Sequence, residues 1–213
     1  MNVKKIFLFL IVLAFVVLTA CQKRDSNGET IVLLGEETYI KPYQSFIPDS
    51  LLTKFVSQMG GVYEGYIPPN IEGVFWVDKK VLEYSNYNMN IDSHDIYFRI
   101  SKQHNRTACI ELLDGGPVLT DTIYIMGNEN KFTLYFTEYK TMPSNEAYPY
   151  IVRNVFITGE IQNDGIHNLK YGTILTDVPE VTNPYVQNFE PGHYFIYKDR
   201  NGVSEYEDWP ENP

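Results

Sequence analysis

The spacing of apolar residues changes near residue 68. Over residues 51–59, apolar residues recur one, four, five and eight positions after the first, which is the spacing of one helix face. These residues are Leu51, Leu52, Phe55, Val56 and Met59. Asp49 is a favourable N-cap, and the glycines at 60–61 favour an end. We therefore expect one helix over 50–59, whose apolar face packs against a larger β domain and caps it.

After residue 68 the chain consists of short apolar segments separated by turn residues, which is the pattern of antiparallel strands. Two separating segments, GNEN at 127–130 and NDG at 163–165, have the length and the residue types of tight hairpin turns. We predict strands over 72–78, 95–101, 107–113, 121–126, 131–139, 150–162, 166–178 and 193–198. Because most of the connections are short, these segments predict an antiparallel meander.

Alternation within the strands indicates a sheet with one apolar face and one amphipathic face. In segment 131–139 one face carries Phe132, Leu134 and Phe136, and the other carries Thr133, Tyr135 and Thr137. A closed barrel of about eight strands removes the exposed edges that a meander would leave, and it has room for packed side chains or one small ligand. The predicted fold is therefore all-β, an antiparallel up-and-down barrel of about eight strands with one short N-terminal helix. A β-sandwich is the alternative.

The start of the first predicted strand resembles that of the lipocalins and, more broadly, of calycin-type barrels. Gly73-Val74-Phe75-Trp76 follows a short helix, and lipocalins open this strand with glycine, any residue and tryptophan; here Trp76 is one position later. Thr176-Asp177-Val178 is similar to the Thr-Asp-Tyr turn of that family in two residues. Segment 158–175 also resembles a hairpin of small lipoproteins from gut Bacteroidetes. The resemblance implies a lipocalin-like barrel that binds a small ligand.

The first twenty residues have the composition of an export signal. Lys4 and Lys5 precede an unbroken apolar run over residues 6–17. That run is shorter than the roughly 20 apolar residues that a membrane-spanning helix needs. The following Leu18-Thr19-Ala20-Cys21 resembles the lipobox of bacterial lipoproteins, which implies cleavage before Cys21 and lipidation of that cysteine. Acyl chains would then hold the protein on a membrane, whereas a plain secretory signal with an unrelated cysteine is the alternative.

The residues after the cysteine bear on location. Gln22 stands where an aspartate would retain an enterobacterial lipoprotein at the inner membrane, so the resemblance favours the outer membrane. Segment 22–25 leaves both a periplasmic and a cell-surface orientation open. The predicted organisation is a signal peptide over 1–20, the lipidated cysteine and a tether over 21–45, a barrel domain with its helix over 46–200, and an acidic C-terminal tail over 201–213.

Charge and cysteine content exclude several partners. With 17 basic and 27 acidic residues the chain has a formal net charge of −10, and removal of Lys4 and Lys5 with the signal makes it more negative. Such a surface argues against nucleic acid and against electrostatic docking on anionic lipid. If Cys21 is acylated, Cys109 has no partner for a disulfide bond. The apolar neighbours of Cys109 predict a small buried core residue rather than a nucleophile.

Residues typical of metal and catalytic sites occur singly. No two of the histidines have the i, i+4 spacing of a helical zinc site: His94, His104, His167 and His193. The best metal candidate is the segment IDSHDI, with Asp92, His94 and Asp95, but this composition is also ordinary before a strand. Acidic residues on strands are expected to face solvent, and a glycosidase-like pair among Asp121, Glu138 and Glu160 is the catalytic alternative. We therefore predict no metal, no cofactor and no enzymatic activity.

Two non-catalytic functions fit these observations. In the first, the barrel interior binds a small apolar or amphipathic ligand at the cell envelope. In the second, the interior is packed, and the aromatic outer face and loops bind an envelope protein or a glycan. Loops over 140–149 and 179–192 would surround a barrel mouth. The predicted ligand contacts are Trp76, Phe98, Tyr135, Phe136, Phe156, Tyr185 and Phe189.

Overall fold

The computed structural model of the protein describes residue 47 and residues 49–88, 94–115, 119–140, 151–178 and 189–210. In these ranges one helix, α1 (Asp49–Gln58), precedes ten strands. The strands are β1 (Gly73–Val77), β2 (Lys80–Ser85), β3 (Ile96–His104), β4 (Thr107–Leu113), β5 (Leu119–Asn128), β6 (Lys131–Lys140), β7 (Ile151–Gln162), β8 (Gly165–Asp177), β9 (Tyr194–Asp199) and β10 (Val203–Tyr206). No helix in the described ranges is long and apolar enough to cross a bilayer.

The strands form one antiparallel sheet that closes on itself. Strands β3 to β8 each pair with the next strand in sequence. β1 pairs with β3 on one side and with β10 on the other, and β10 pairs in turn with β8, which closes the ring. β2 continues β1, β9 leads into β10, and β2 pairs with β9. β1 and β2 together form one strand of the ring, and so do β9 and β10, so the ten described strands make an eight-stranded barrel. The prediction of an all-β, lipocalin-like up-and-down barrel is confirmed.

Strands β2 and β10 fall outside the predicted segments. Lys79, whose φ is 53°, lies between β1 and β2 and divides the first strand of the ring into these two segments. β10 is a short segment between charged residues that the sequence assigned to an acidic tail over 201–213. That assignment is wrong for Val203–Tyr206, because the backbone of this segment pairs with β1 and β8.

The connections differ between the two ends of the barrel. Tight turns join the strands at one end, which we call the closed end, at residues 105–106, 129–130 and 163–164. The predicted hairpins at 127–130 and 163–165 are therefore confirmed, and Glu129 takes the positive φ (57°) that a tight turn favours. Longer connections join the strands at the other end, which we call the open end, at residues 86–95, 114–118, 141–150 and 178–193.

Helix α1 packs on the outer wall of the barrel. The fully buried ring of Phe55 lies 5.1 Å from the ring of Phe156 and 5.8 Å from that of Tyr194. Gly172 of β8 permits this close approach, since a Cβ atom there would lie 2.5 Å from Cζ of Phe55. The expectation that the helix caps the domain is wrong, because its apolar face meets side chains that point away from the barrel interior.

Cys109 also faces outward. Its neighbours Ala108 and Ile110 occupy the inward positions of β4, so Cys109 is partly exposed rather than a buried core residue as predicted. The prediction placed Cys109 on the wrong face of β4, because neighbouring residues on a strand point to opposite faces of the sheet.

Candidate functional site

The half of the interior next to the closed end is filled by apolar side chains. Phe75, Ile125, Phe132 and Ile166 have no exposed surface, and the rings of Phe75 and Phe98 stack with centroids 5.2 Å apart. Side chains packed this closely leave few voids larger than a water molecule. The described side chains therefore fill this half of the interior.

Four charged side chains enter the interior nearer the open end, and we call them the interior charge network: Lys80, Asp114, Glu138 and Arg153. Arg153 Nε donates to Glu138 Oε2 at 2.6 Å, and its Nη2 donates to Asp114 Oδ2 at 3.4 Å. Lys80 Nζ donates to the other oxygen of Asp114. The four side chains are between 6% and 13% exposed. Because two cations face two carboxylates, the network is electrically balanced.

Strand alternation directs the side chains of Glu138 and Arg153 inward. Glu138 lies two positions after the core residue Phe136 on β6, and Arg153 lies two positions before the core residue Val155 on β7. Residues two positions apart on a strand share a face. Glu138 and Arg153 are also directly opposite each other in the pairing of β6 with β7, so their side chains meet across the two strands.

Burial and charge act in opposite directions on the network. Burial would raise the pKa of Asp114, but the hydrogen bond from His94 and the charges of the two network cations hold that pKa well below its usual value. Burial likewise opposes the charge of Arg153, while Tyr171, Glu138 and Asp114 around it hold the guanidinium pKa above its usual value. Asp114 and Arg153 are therefore both charged throughout the physiological pH range.

Two tyrosines lie beside the network. Lys80 Nζ is 5.6 Å from the ring centroid of Tyr171 and 5.0 Å from that of Tyr197, which are cation–π distances. Burial raises the pKa of both phenols, so both hydroxyls stay protonated. Tyr171 is 2% exposed, and its hydroxyl oxygen has no hydrogen-bond partner in the part of the chain that the structure describes.

Partly buried apolar side chains lie above the network and form what we call the rim: Leu82, Tyr87, Val178 and Phe189. The ring of Tyr87 lies 4.5 Å from that of His193 and 5.7 Å from that of Phe189. His94 is also at this end, where its Nε2 lies 2.7 Å from Asp114 Oδ1 and its side chain is 38% exposed. Solvent therefore reaches the edge of the network at His94.

The structure divides the predicted ligand contacts between the two faces of the barrel wall. Phe98 and Phe136 belong to the interior core. Trp76 faces outward from β1, and Tyr135 faces outward and packs on Phe156, with ring centroids 5.2 Å apart, in the layer covered by α1. The expectation that these three residues line the interior is wrong, because the core residues adjacent to them in each strand occupy the inward positions.

The remaining predicted site residues lie at the open end or outside the described ranges. Phe189 belongs to the rim, and its ring lies 6.2 Å from that of Phe195. Tyr185, in the predicted loop over 179–192, and the predicted lipidation site Cys21 lie outside the residues that the structure describes.

The segment IDSHDI does not assemble a metal site in the described residues. Asp92 lies outside them, His94 contacts Asp114, and Asp95 accepts a hydrogen bond from Trp76 Nε1 at 3.3 Å. No group of three His, Cys, Asp or Glu side chains within the described ranges is arranged to hold a metal ion.

The charge network was not among the predicted contacts. Glu138 was expected to face solvent, although it continues the apolar face that Phe132, Leu134 and Phe136 define. A charged residue in phase with core residues is the signal that would have located it. Arg153 is also in phase with the core residue Val155, but the carboxylate that compensates its charge lies on the neighbouring strand.

Comparisons with known proteins return no match. No protein-family model, no curated protein and no solved structure is similar to this chain at the level that would indicate common descent or a common fold.

Proposed function

We propose that the protein is a lipid-anchored outer-membrane lipoprotein whose barrel binds a small amphipathic molecule at its open end, without catalysing a reaction. The observation that supports ligand binding is the interior charge network beneath a partly buried apolar rim, in a barrel whose other half is filled.

The arrangement favours a short ligand with one polar end. Apolar contacts at the rim, Leu82 and Phe189 among them, suit a hydrocarbon or aromatic body. The polar groups lie deeper, where a few well-placed hydrogen-bonding groups orient a ligand. Because the closed-end half is filled, the ligand would occupy the open-end half alone.

The electrostatics of the network favour binding over catalysis. A general acid or base works best with a pKa near the working pH. The pKa of Asp114 lies well below that range, and the pKa of Arg153 lies above it. Both groups are also held by each other and by Glu138, so neither is poised to exchange a proton with a substrate.

The lipid anchor is supported by the apolar run and the lipobox-like segment before Cys21. We expect Cys21→Ser to move the protein from the membrane fraction to the soluble fraction, whereas Cys109→Ser should leave it membrane-bound. Fractionation of detergent-free extracts measures this. Retention of the Cys21→Ser protein on membranes would contradict the anchor. The orientation, periplasmic or cell-surface, is tested by protease accessibility on intact cells.

Ligand binding is tested by native mass spectrometry of residues 22–213 purified without detergent, followed by organic extraction. We expect a retained small molecule, which Leu82→Asp at the rim should abolish. Tyr139→Ser is the control, since Tyr139 is 60% exposed on the outer face. A clean mass, with no stabilisation of the fold by any of a panel of apolar and amphipathic compounds, would contradict the proposal.

Outward-facing aromatic residues favour a second function, in which the barrel is an envelope accessory module that binds a protein or a glycan. Tyr66 and Tyr139 are 51% and 60% exposed, and Tyr124 is 48% exposed. Exposed aromatic groups of this kind are common in recognition surfaces. Binding of envelope glycans that is lost on Tyr139→Ser, together with a clean mass in the first experiment, would favour this function.

A further inference from the structure

Among the described residues of the barrel interior, the hydroxyl of Tyr171 is a buried polar group without a hydrogen-bond partner. Leaving a buried polar group unpaired is unfavourable, so native proteins rarely do so without a reason. Tyr171 belongs to the interior core and lies close enough to Arg153, Asp114 and Glu138 for their charges to act on it. The missing partner would therefore sit inside the barrel, beside the interior charge network.

The network itself limits what that partner can be. Lys80 donates to Asp114, and Arg153 donates to both Asp114 and Glu138, so each cation already faces a carboxylate. An added anion would bring a third negative charge into a buried and balanced group, and burying an uncompensated charge is strongly unfavourable. An uncharged acceptor adds no charge and satisfies the phenol.

We propose that Tyr171 is the recognition point for an uncharged oxygen acceptor of the bound molecule, a carbonyl or a hydroxyl group, rather than a carboxylate or a phosphate. This inference rests on the proposed ligand-binding function and names the chemical class of the ligand. The phenol O–H donates to the acceptor, the charge network stays intact beside it, and the body of the ligand extends to the rim.

The first test needs no ligand. Tyr171→Phe removes the unpaired hydroxyl, and we expect the melting temperature of residues 22–213 to stay the same or rise. Tyr194→Phe is the matched control, because Tyr194 is 1% exposed but donates to Gln58 Oε1. The control should lose a few degrees, roughly 2–6 °C, because a partner is left unpaired. An equal loss in Tyr171→Phe would show that its hydroxyl has an internal partner and would overturn the inference.

The second test uses three probes that share a naphthalene ring and differ in one substituent: 2-acetylnaphthalene, 2-ethylnaphthalene and 2-naphthoate. In the unaltered chain we expect the acetyl compound to bind about five- to tenfold more tightly than the ethyl compound, which is the effect of one hydrogen bond. The naphthoate should bind more weakly than the acetyl compound. In Tyr171→Phe the difference between acetyl and ethyl should disappear, while Tyr194→Phe should keep it. Isothermal titration calorimetry measures all of these affinities.

The outcomes separate the inference from the function on which it rests. Equal binding of the acetyl and ethyl compounds, strongest binding of the naphthoate, or a preference that survives in Tyr171→Phe would each overturn the inference and leave ligand binding intact. Failure of all three probes to bind would count against ligand binding by the barrel, and the inference would fall with it.

Discussion

The contribution of the interior charge network to the free energy of unfolding can be measured at the contact between Arg153 and Glu138. Arg153→Leu leaves the carboxylate of Glu138, 7% exposed, without the guanidinium that donates to it at 2.6 Å. Removing one partner of a buried pair costs about 3–5 kcal/mol, because the other charge is left uncompensated. We expect the free energy of unfolding to fall by about that amount.

The reciprocal change and the double change complete the cycle. Glu138→Leu should cost less, about 1.5–3 kcal/mol, because Arg153 keeps Asp114 at 3.4 Å. The double variant removes both charges and leaves Lys80 paired with Asp114. Replacement of a whole buried pair by apolar residues is often neutral, so the double variant should unfold within roughly 1 kcal/mol of the unaltered protein. The two single effects are therefore expected to be far from additive.

Urea unfolding at pH 7, followed by tryptophan fluorescence, measures these energies. With a urea dependence of about 2 kcal/mol per molar, Arg153→Leu should lower the midpoint by roughly 2 M. Arg200→Leu is the control, since Arg200 is 54% exposed and its pair with Asp78 should contribute less than about 1 kcal/mol. Additive single effects, or a loss below about 1 kcal/mol in Arg153→Leu, would refute the account of the network as a coupled buried group.

Three further predictions concern the helix contact and the pH range of the fold. Gly172→Ala places a Cβ atom 2.5 Å from Cζ of Phe55, so it should lower stability by about 1–3 kcal/mol in thermal unfolding, and Phe55→Leu in the same chain should restore part of the loss. Burial raises the pKa of Tyr171 and of Tyr197, so the fold should be stable up to about pH 10 and weaken above it, where the unfolded phenols ionise first. Urea midpoints between pH 8 and pH 11 test this, and Tyr171→Phe should reduce the decline. The pKa of Asp114 is lowered, so the stabilisation that its charge provides should be complete above about pH 4 and should fade as the pH falls further. Asp114→Asn should remove that part of the acid dependence of the urea midpoint.

These outcomes can fail independently. An unchanged melting temperature in Gly172→Ala would mean that the helix shifts without cost. A fold that keeps its full stability at pH 11 would show that the buried phenols ionise as readily as unfolded ones. Equal acid sensitivity of the unaltered protein and Asp114→Asn would mean that other carboxylates control acid unfolding.

Much of the barrel could be predicted from local patterns. The alternation of Phe132, Leu134 and Phe136 orients β6, and turn residues mark the hairpins at 127–130 and 163–165. Strands β2 and β10 were missed for a different reason. They are short and lack a clear apolar alternation, and each continues a strand of the ring that another segment begins, β2 after β1 and β10 after β9.

The site depends on contacts that no single segment contains. Lys80 begins β2 and Asp114 directly follows β4, so distant segments bring the two together, and Arg153 is opposite Glu138 in the pairing of β6 with β7. Charged residues on strands usually face solvent, so the general rule fails here, where the buried charges compensate each other. The outward position of α1 has one local signal, Gly172, whose missing side chain admits the helix.

We expect the strand pair that closes the barrel, β1 with β10, to form late in folding. β1 and β2 come from the start of the barrel, and β9 and β10 come from its end, so this pairing joins the segments that are furthest apart in sequence. Contacts across such long loops form slowly, because the entropy of loop closure must be overcome first. Until residues 203–206 are available, β1 and β8 present unpaired backbone edges that invite association with other chains. We therefore expect the pairing of β10 with β1 and β8 to be the step that covers these edges of the described sheet.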